Sequence, residues 1–214
     1  MREKVLIIGA GGHARSVIDI LLQNNEYEVI GCIDNQYCCD EICECMSGIP
    51  VIGNDDMLPD FLKQGIKYCF VALGNNKLRA LLYEKVCEMG YIPINAISKH
   101  AIISDRAQLG NGICIMAGAI LNVNVQVGDN SIINTRCSVD HDCVIGEHCH
   151  IAPGVTMSGT TVVGDYTQLG TGSNVIDGIT IGANSFIGAG AVVVNDIPPN
   201  VMAYGVPAKI VRNI

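Results

Sequence analysis

The chain has no tryptophan and three phenylalanines in 214 residues. An aromatic core is excluded, so the interior must be built from aliphatic side chains. Positive charge is scarce as well: 13 Lys and Arg against 21 Asp and Glu leave a formal charge of −8. No long basic run is present, which disfavours a nucleic-acid surface and leaves room only for a local cationic patch. No apolar run approaches the ~18 residues of a membrane span, so no membrane partner is expected. The start, MREKVLIIGAGG, is basic and then apolar. Its glycines read better as a strand entering a loop than as an export signal, and the chain is expected to work in the cytoplasm.

Glycine and cysteine are plentiful. Twenty-four glycines imply many turns. A hydrophobic share of 49% against 16% charged excludes disorder and suits one large domain or two small ones. Eleven cysteines are an odd number, and many stand in apolar patterns (Cys69, Cys114, Cys137, Cys143, Cys149). Free buried thiols are the expected state. The cluster CCDEICEC (Cys38, Cys39, Cys43, Cys45) has no second paired set at zinc-like spacing, and a loop of free thiols is expected there.

The first half reads as strand, glycine loop, helix, strand, acid. KVLIIG is a buried strand. GAGGHA (Gly9–Ala14) follows, then RSVIDILLQN, where Val17, Ile18, Leu21 and Leu22 mark one helical face. EVIGCID (Glu28–Asp34) is a second strand ending in an acid. A third strand, KYCFVALG (Lys67–Gly74), leads into a helix with Leu78, Leu81, Leu82 and Val86 on one side, and ISKHAII (Ile97–Ile103) closes the half. This is an α/β, Rossmann-like domain over residues 1–97 with a parallel sheet. The loop departs from G-x-G-x-x-G, with Ala14 where the third glycine would fall. It serves either as a tight turn or as a phosphate cradle at a helix N-terminus.

The second half is a repeat. From Ile103, every sixth residue through Val193 is Ile, Leu, Val or Met, sixteen in a row. Two residues earlier stand small or apolar residues such as Ala107, Ser131, Cys137, Cys143, Thr167 and Ala191. A period of six fits neither a helix nor a two-sided strand; it is the signature of a parallel β-helix. The pairs LG, VG, IG, VG, IG at Leu109, Val127, Ile145, Val163 and Ile181 recur every 18 residues, one coil of three short faces. Three aliphatic ladders then fill the prism, each buried side chain contributing roughly 1.5–3 kcal/mol before entropy. The repeat is expected over residues 98–195. The prolines of residues 196–214 (Pro198, Pro199, Pro207) are expected to end the pairing.

One coil departs from the bland pattern. SVDHDCVIGEHCHIAPG sets His141, His148 and His150 among Asp140, Asp142 and Glu147. All five of Asp140, His141, Asp142, His148 and His150 are expected on the outside of the prism. His141, with a carboxylate on each side, fits a general base, a metal ligand or a solvated corner. Spacing alone leaves the three open. His141 and His150 are nine residues apart, one and a half faces, so one chain does not place them on one corner.

The hexad ladder, the element VDHDCVIGEHCHIAPG and the terminal YGVPAK (Tyr204–Lys209) resemble the left-handed β-helix acyltransferases. LIIGAGGHA, CID at Cys32–Asp34 and VALGNNKLR (Val71–Arg79) narrow the resemblance to bacterial sugar O- and N-acetyltransferases of sialic acid, bacillosamine and perosamine pathways. The resemblance implies a homotrimer with acetyl-CoA in the grooves between prisms and no metal. It implies His141 as general base and Asp142 as its orienting carboxylate, where the family more often has the longer glutamate. It places the coenzyme against His150, Gly159, Gly172, Ala189, Gly205, Pro207 and Lys209, with residues 196–214 closing over it. It places a uridine-diphosphate sugar against Gly11, Gly12, His13, Asp34, Asn75, Asn76 and Arg79. Two other roles stay open: O-acetylation of free sialic acid or another free sugar, and a non-catalytic nucleotide-sugar-binding or regulatory subunit. An acyl-cysteine route and a zinc-bearing β-helix trimer are weaker variants.

Overall fold

The computed structural model describes residues 2–35, 44–46 and 48–214. The cysteine cluster lies outside them, except for the backbone of Cys45 in a short strand. The chain divides into two compact units, Met1–Lys99 and His100–Ile214.

The first unit runs β1 (Glu3–Ile8), α1 (Gly12–Asn24), β2 (Tyr27–Ile33), β3 (Glu44–Met46), β4 (Ile49–Gly53), α2 (Leu58–Lys63), β5 (Tyr68–Val71), α3 (Asn76–Met89) and β6 (Ile92–Pro93). The sheet order is β3-β4-β2-β1-β5-β6, parallel except for the β3–β4 pair. Val5 to Ile8 are almost fully buried, as a central parallel strand requires. From β1 the chain crosses through α1 to β2, and β5 later returns to the opposite side of β1. The strand order reverses there, and the crevice beyond the C-terminal ends of such strands is where ligands bind in open α/β sheets.

The helix faces agree with the sequence reading in α1 and only in part in α3. In α1, Ala14, Val17, Ile18, Ile20 and Leu21 are buried, whereas Leu22 is exposed. In α3, Leu78 and Leu81 are exposed, and the buried face is Asn76, Arg79, Ala80, Tyr83 and Val86. Apolar spacing finds the α1 face except for Leu22. In α3 only Val86 of the expected face is fully buried, with Leu82 half-buried, because Asn76 and Arg79, polar side chains with internal partners, occupy the inner stripe. The stretch that closes the half is divided between elements: Ala96–Ile97 is a strand, and Ile102–Ile103 belongs to the first coil of the second unit.

That second unit is a parallel β-helix of two-residue strands. Each ladder residue is the second of its pair, and all from Ile115 onward are buried. Partners are 18 residues apart, as Ser138↔Thr156 and Val139↔Met157 show. From Gly112 to Gly190 every sixth residue has a positive φ, between 53° and 72°. These are the corners, three residues after each ladder position. Gly, Asn and Asp adopt that conformation most readily. The thiols of Cys137, Cys143 and Cys149 point inward and donate to carbonyls of the next coil at 3.1–3.2 Å. Cys32, Cys69 and Cys114 are also buried; Cys87 is exposed.

The prolines do not end the pairing. Val201–Gly205 adds parallel to Phe186–Ile187, and Ala208–Asn213 folds back on it antiparallel. Pro198 and Pro199 fall before the new strand and Pro207 in the turn, positions that need no ladder N–H.

Candidate active site

His141 stands at a corner of the β-helix, half exposed, between the coil that carries Val123 and the coil that carries Gly159. Asp142 N–H donates down to Val123 O, and Thr160 N–H donates to His141 O from above. Both flanking acids are engaged. The main-chain N–H of His141 donates to Asp140 Oδ1 at 2.8 Å, and the same oxygen accepts from Asn122 Nδ2 at 2.8 Å. Asp142 Oδ2 lies 2.9 Å from His141 Nδ1, and its Oδ1 accepts from Asn124 Nδ2 at 2.9 Å. The shorter aspartate therefore reaches the ring directly, because its αL backbone (φ 58°) turns the side chain back along the corner.

A carboxylate only accepts, so Nδ1 carries the ring proton and Nε2 keeps its lone pair. The hydrogen bond to Asp142, aided by the charge of Asp140, holds the imidazole pKa above its ordinary value. Asp142 is held below the usual carboxylate range, first by Asn124 and then by His141. The result is an oriented, strengthened base with one face to solvent.

Gly159, one coil above, is fitted to this ring. A Cβ built there would lie 2.5 Å from His141 Cε1 and 2.6 Å from Nε2. Its backbone is not left-handed; the space for the imidazole is what requires glycine. The resemblance assigned Gly159 to the coenzyme pocket, and the structure adds this contact with His141.

His148 is a correction. It was expected on the outside but is buried, with Nδ1 2.9 Å from Asn130 Nδ2 and its ring against Tyr166. It occupies a left-handed corner position (φ 57°) directly above Asn130, on an edge where both side chains are buried. His150 is half-buried at the head of a strand, its Nε2 3.1 Å from Asn134 Nδ2. The thiol of Cys143, next to the dyad in sequence, points inward, donates to Ser158 O and is pushed up by burial. Cys137 is pushed up to about 11. Burial and a raised pKa both favour the neutral thiol over the thiolate in each.

The remaining coenzyme residues divide between places. Gly172 lies on the corner that runs through Gly154 and Gly190, and Ala189 adjoins Gly190 on it. His150 leads into that corner, not into the one that bears His141 and Gly159. Gly205, Pro207 and Lys209 lie at the exposed turn of the C-terminal hairpin.

In the first unit, Gly9 has φ 105°, and a Cβ there would lie 3.1 Å from Ala72 O. The turn brings Ala10 N–H to Asp34 Oδ2 at 2.9 Å. Gly11 caps α1, and a Cβ on Gly11 or Gly12 would meet open space, so packing within the chain does not demand glycine there. His13 lies half-buried in the first turn of α1. A cleft of about 680 Å³ opens beside this turn, lined by Ile8, Gly9, Asp34 and Asn35 and walled by Leu73, Leu78 and Leu81. Asn75 caps α3 by accepting from Leu78 N–H. Arg79 is 1% exposed and donates to Leu73 O, Gly74 O and Asn76 Oδ1. The direct grip that the resemblance assigns to Arg79 does not match that burial; its guanidinium holds the β5–α3 loop instead.

Residues 4–86 match the PglD N-terminal domain family, and residues 124–159 and 160–195 match the bacterial transferase hexapeptide (six repeats). The perosamine N-acetyltransferase of Caulobacter crescentus, solved in complex with CoA and GDP-perosamine, is 42% identical; the match covers 98% of this chain and 97% of that one, with a TM-score of 0.92. The chain belongs to the sugar acetyltransferase family. Two of the Caulobacter structures are of variants with the histidine at position 141 of that chain replaced, by Asn or by Ala. The acetyltransferase domain of PglB from Neisseria gonorrhoeae is 33% identical, covers 98% of this chain and 100% of that one, and has a TM-score of 0.92; it is also solved in complex with acetyl coenzyme A. A curated relative, an uncharacterized protein of Acanthamoeba polyphaga mimivirus, is 34% identical over 108 residues, and the chain spans 20% of its length. The second unit is thus the left-handed β-helix of the sugar acetyltransferases, behind their α/β domain. Among the described residues no helix is long and apolar enough to cross a membrane.

Proposed function

We propose that this sugar acetyltransferase moves an acetyl group from acetyl-CoA to the amine of a nucleotide-activated amino sugar, in the cytoplasm, in a pathway that builds a surface polysaccharide or glycan. The observation that carries the reading is the Asp142–His141 pair: a solvent-facing imidazole with Nδ1 tied to a carboxylate and Nε2 left basic. The position replaced in the Caulobacter structures has the same number. The α/β unit holds the nucleotide through Gly11, Gly12, His13 and Asp34, with Asn75, Asn76 and Arg79 shaping the adjoining loop. GDP-perosamine, bound by the Caulobacter relative, makes a guanosine-diphosphate 4-amino sugar the first acceptor to try, ahead of the uridine sugars.

The reaction runs by direct attack. The amine nitrogen adds to the thioester carbonyl carbon as Nε2 of His141 takes one of its protons. Main-chain N–H groups along the groove stabilise the oxyanion. The C–S bond then breaks, and the imidazolium returns the proton to the departing thiolate. The products are the N-acetyl sugar and CoA, with no acyl-enzyme.

The working form is a homotrimer. His141 with Gly159, and His150 with Gly172 and Ala189, lie on two edges of one prism, so adjacent chains supply the two halves of each groove. Ile102 and Ile120, stacked and exposed on one face, favour a covered surface there. The C-terminal hairpin with Gly205, Pro207 and Lys209 completes the coenzyme end.

The test is acceptor-dependent CoA release from acetyl-CoA with GDP-perosamine, a uridine-diphosphate 4-amino sugar, free sialic acid and no acceptor. Wild type should turn over with a nucleotide sugar, and His141→Ala should lose about 10²–10⁴-fold. Turnover with sialic acid alone would move the reading to O-acetylation. Full activity in the variant would remove His141 from the chemistry.

A further inference from the structure

We propose that Asn124 is a positioning residue for the reaction: its side-chain N–H, donated to Asp142 Oδ1, turns the other carboxylate oxygen onto His141 Nδ1 and so sets the direction and strength of the base. The inference rests on the reading of His141 as that base. An exposed aspartate at a corner would otherwise rotate about its last torsion and share its charge with water. Asn124 removes that freedom. It sits directly below Asp142, 18 residues earlier, and has the same left-handed backbone, φ 58° in both. The bond between them is 2.9 Å, and it is the foremost cause of the low pKa of Asp142. Asn122 performs a different task, holding Asp140, which fixes the main chain of His141 rather than its ring.

The surroundings leave Asn124 as the neutral donor to this carboxylate. On the corner itself stand Asp140 and the buried thiol of Cys143. The coil below presents Asn122, Val123 and Asn124, and the coil above Ser158, Gly159 and Thr160; none of these six is charged. Loss of the Asn124 bond frees Asp142 to swing off the ring. The imidazole then falls back towards its ordinary pKa, and the acidic limb of kcat moves to lower pH while kcat itself drops.

The experiment uses the full chain with acetyl-CoA and GDP-perosamine. Asn124→Gly keeps the left-handed backbone and deletes the donor. We expect kcat down about tenfold, KM for acetyl-CoA within about twofold, an unchanged Tm and an acidic limb displaced to lower pH. Asp142→Asn should do the same, and the double variant should lose about tenfold, not a hundredfold, because both act through one contact. Asn124→Thr, the residue this corner already carries as Thr160, keeps an O–H donor; it should fold if the glycine variant does not, and should fall between glycine and wild type. An unmoved limb, or additive losses, with His141→Ala inactive, would overturn the role of Asn124 alone. An active His141→Ala would overturn the base reading and this inference together.

Discussion

Two corners of one coil each carry a histidine beside an acid and an asparagine one coil below, and their fates are opposite. At the first, the left-handed position belongs to Asp142 and the residue before it is His141. At the second, the left-handed position belongs to His148 and the residue before it is Glu147. The left-handed residue pairs with the asparagine one coil below: Asn124 reaches Asp142, which stays half exposed, and Asn130 reaches His148, which is buried. The residue before it faces solvent, at 51% for the His141 side chain and 61% for that of Glu147. Exchanging acid and imidazole between the two positions separates a solvent-facing histidine from a buried one. The left-handed position alone does not bury a side chain: Asn124, Asp142 and Thr160 are exposed on one edge, whereas Asn130 and His148 are buried on another, so the 18-residue column decides.

The comparison breaks most visibly at Gly159. Gly159→Ala forces a methyl into the space of the imidazole. The ring, as a side chain, swings out more readily than backbone would yield, so the loss falls on kcat. We expect about 10²-fold in CoA release with Tm nearly unchanged. A large Tm loss with normal turnover of the folded fraction would mean that the glycine serves the coil alone.

Asp142→Asn sharpens the electrostatic half. The folded-state pKa of His141 is raised by Asp142, so the neutral base is depleted earlier as pH falls. Removal of the carboxylate lowers that pKa and shifts the acidic limb of kcat to lower pH, with about a tenfold lower plateau from lost orientation. A limb that moves to higher pH would contradict the assignment.

The smallest effect on activity is expected at the second corner. His148→Ala strands the buried amide of Asn130 and removes the ring packed on Tyr166, at a cost of about 1–3 kcal/mol in stability, with kcat within about twofold of wild type. Thermal unfolding beside turnover checks it; a collapse of turnover in the folded protein would place His148 in the site.

Much of this architecture was legible in the sequence. The sixteen-step ladder predicts the coils because an interior this narrow accepts one aliphatic per face, and the glycine loop with Asp34 predicts the α/β unit. The corner register was the missed signal. Gly or Asn stands at 112, 118, 124, 130, 154, 172, 178, 184 and 190, three residues after a ladder position, and that spacing would have placed Asp142 and His148 at left-handed corners; that His148 is buried and Asp142 exposed depends on the edge each corner lies on. Arg79 was illegible for another reason: besides Asn76 Oδ1, its partners are main-chain carbonyls of Leu73 and Gly74, which any sequence supplies. The hairpin after residue 200 escaped notice because Pro207 marks its turn rather than a break.

The eighteen-residue frame also sets the size of the functional unit. The Asp142–His141 pair is gripped from the storey beneath by Asn122 and Asn124 and given headroom by the storey above at Gly159. Transplanting the dipeptide alone onto another hexad scaffold would carry the chemistry without its fittings. The portable piece is three storeys tall, residues 122–160, and an extra coil spliced anywhere inside it would part the grip or the headroom from the pair, while one added outside it would leave that piece intact.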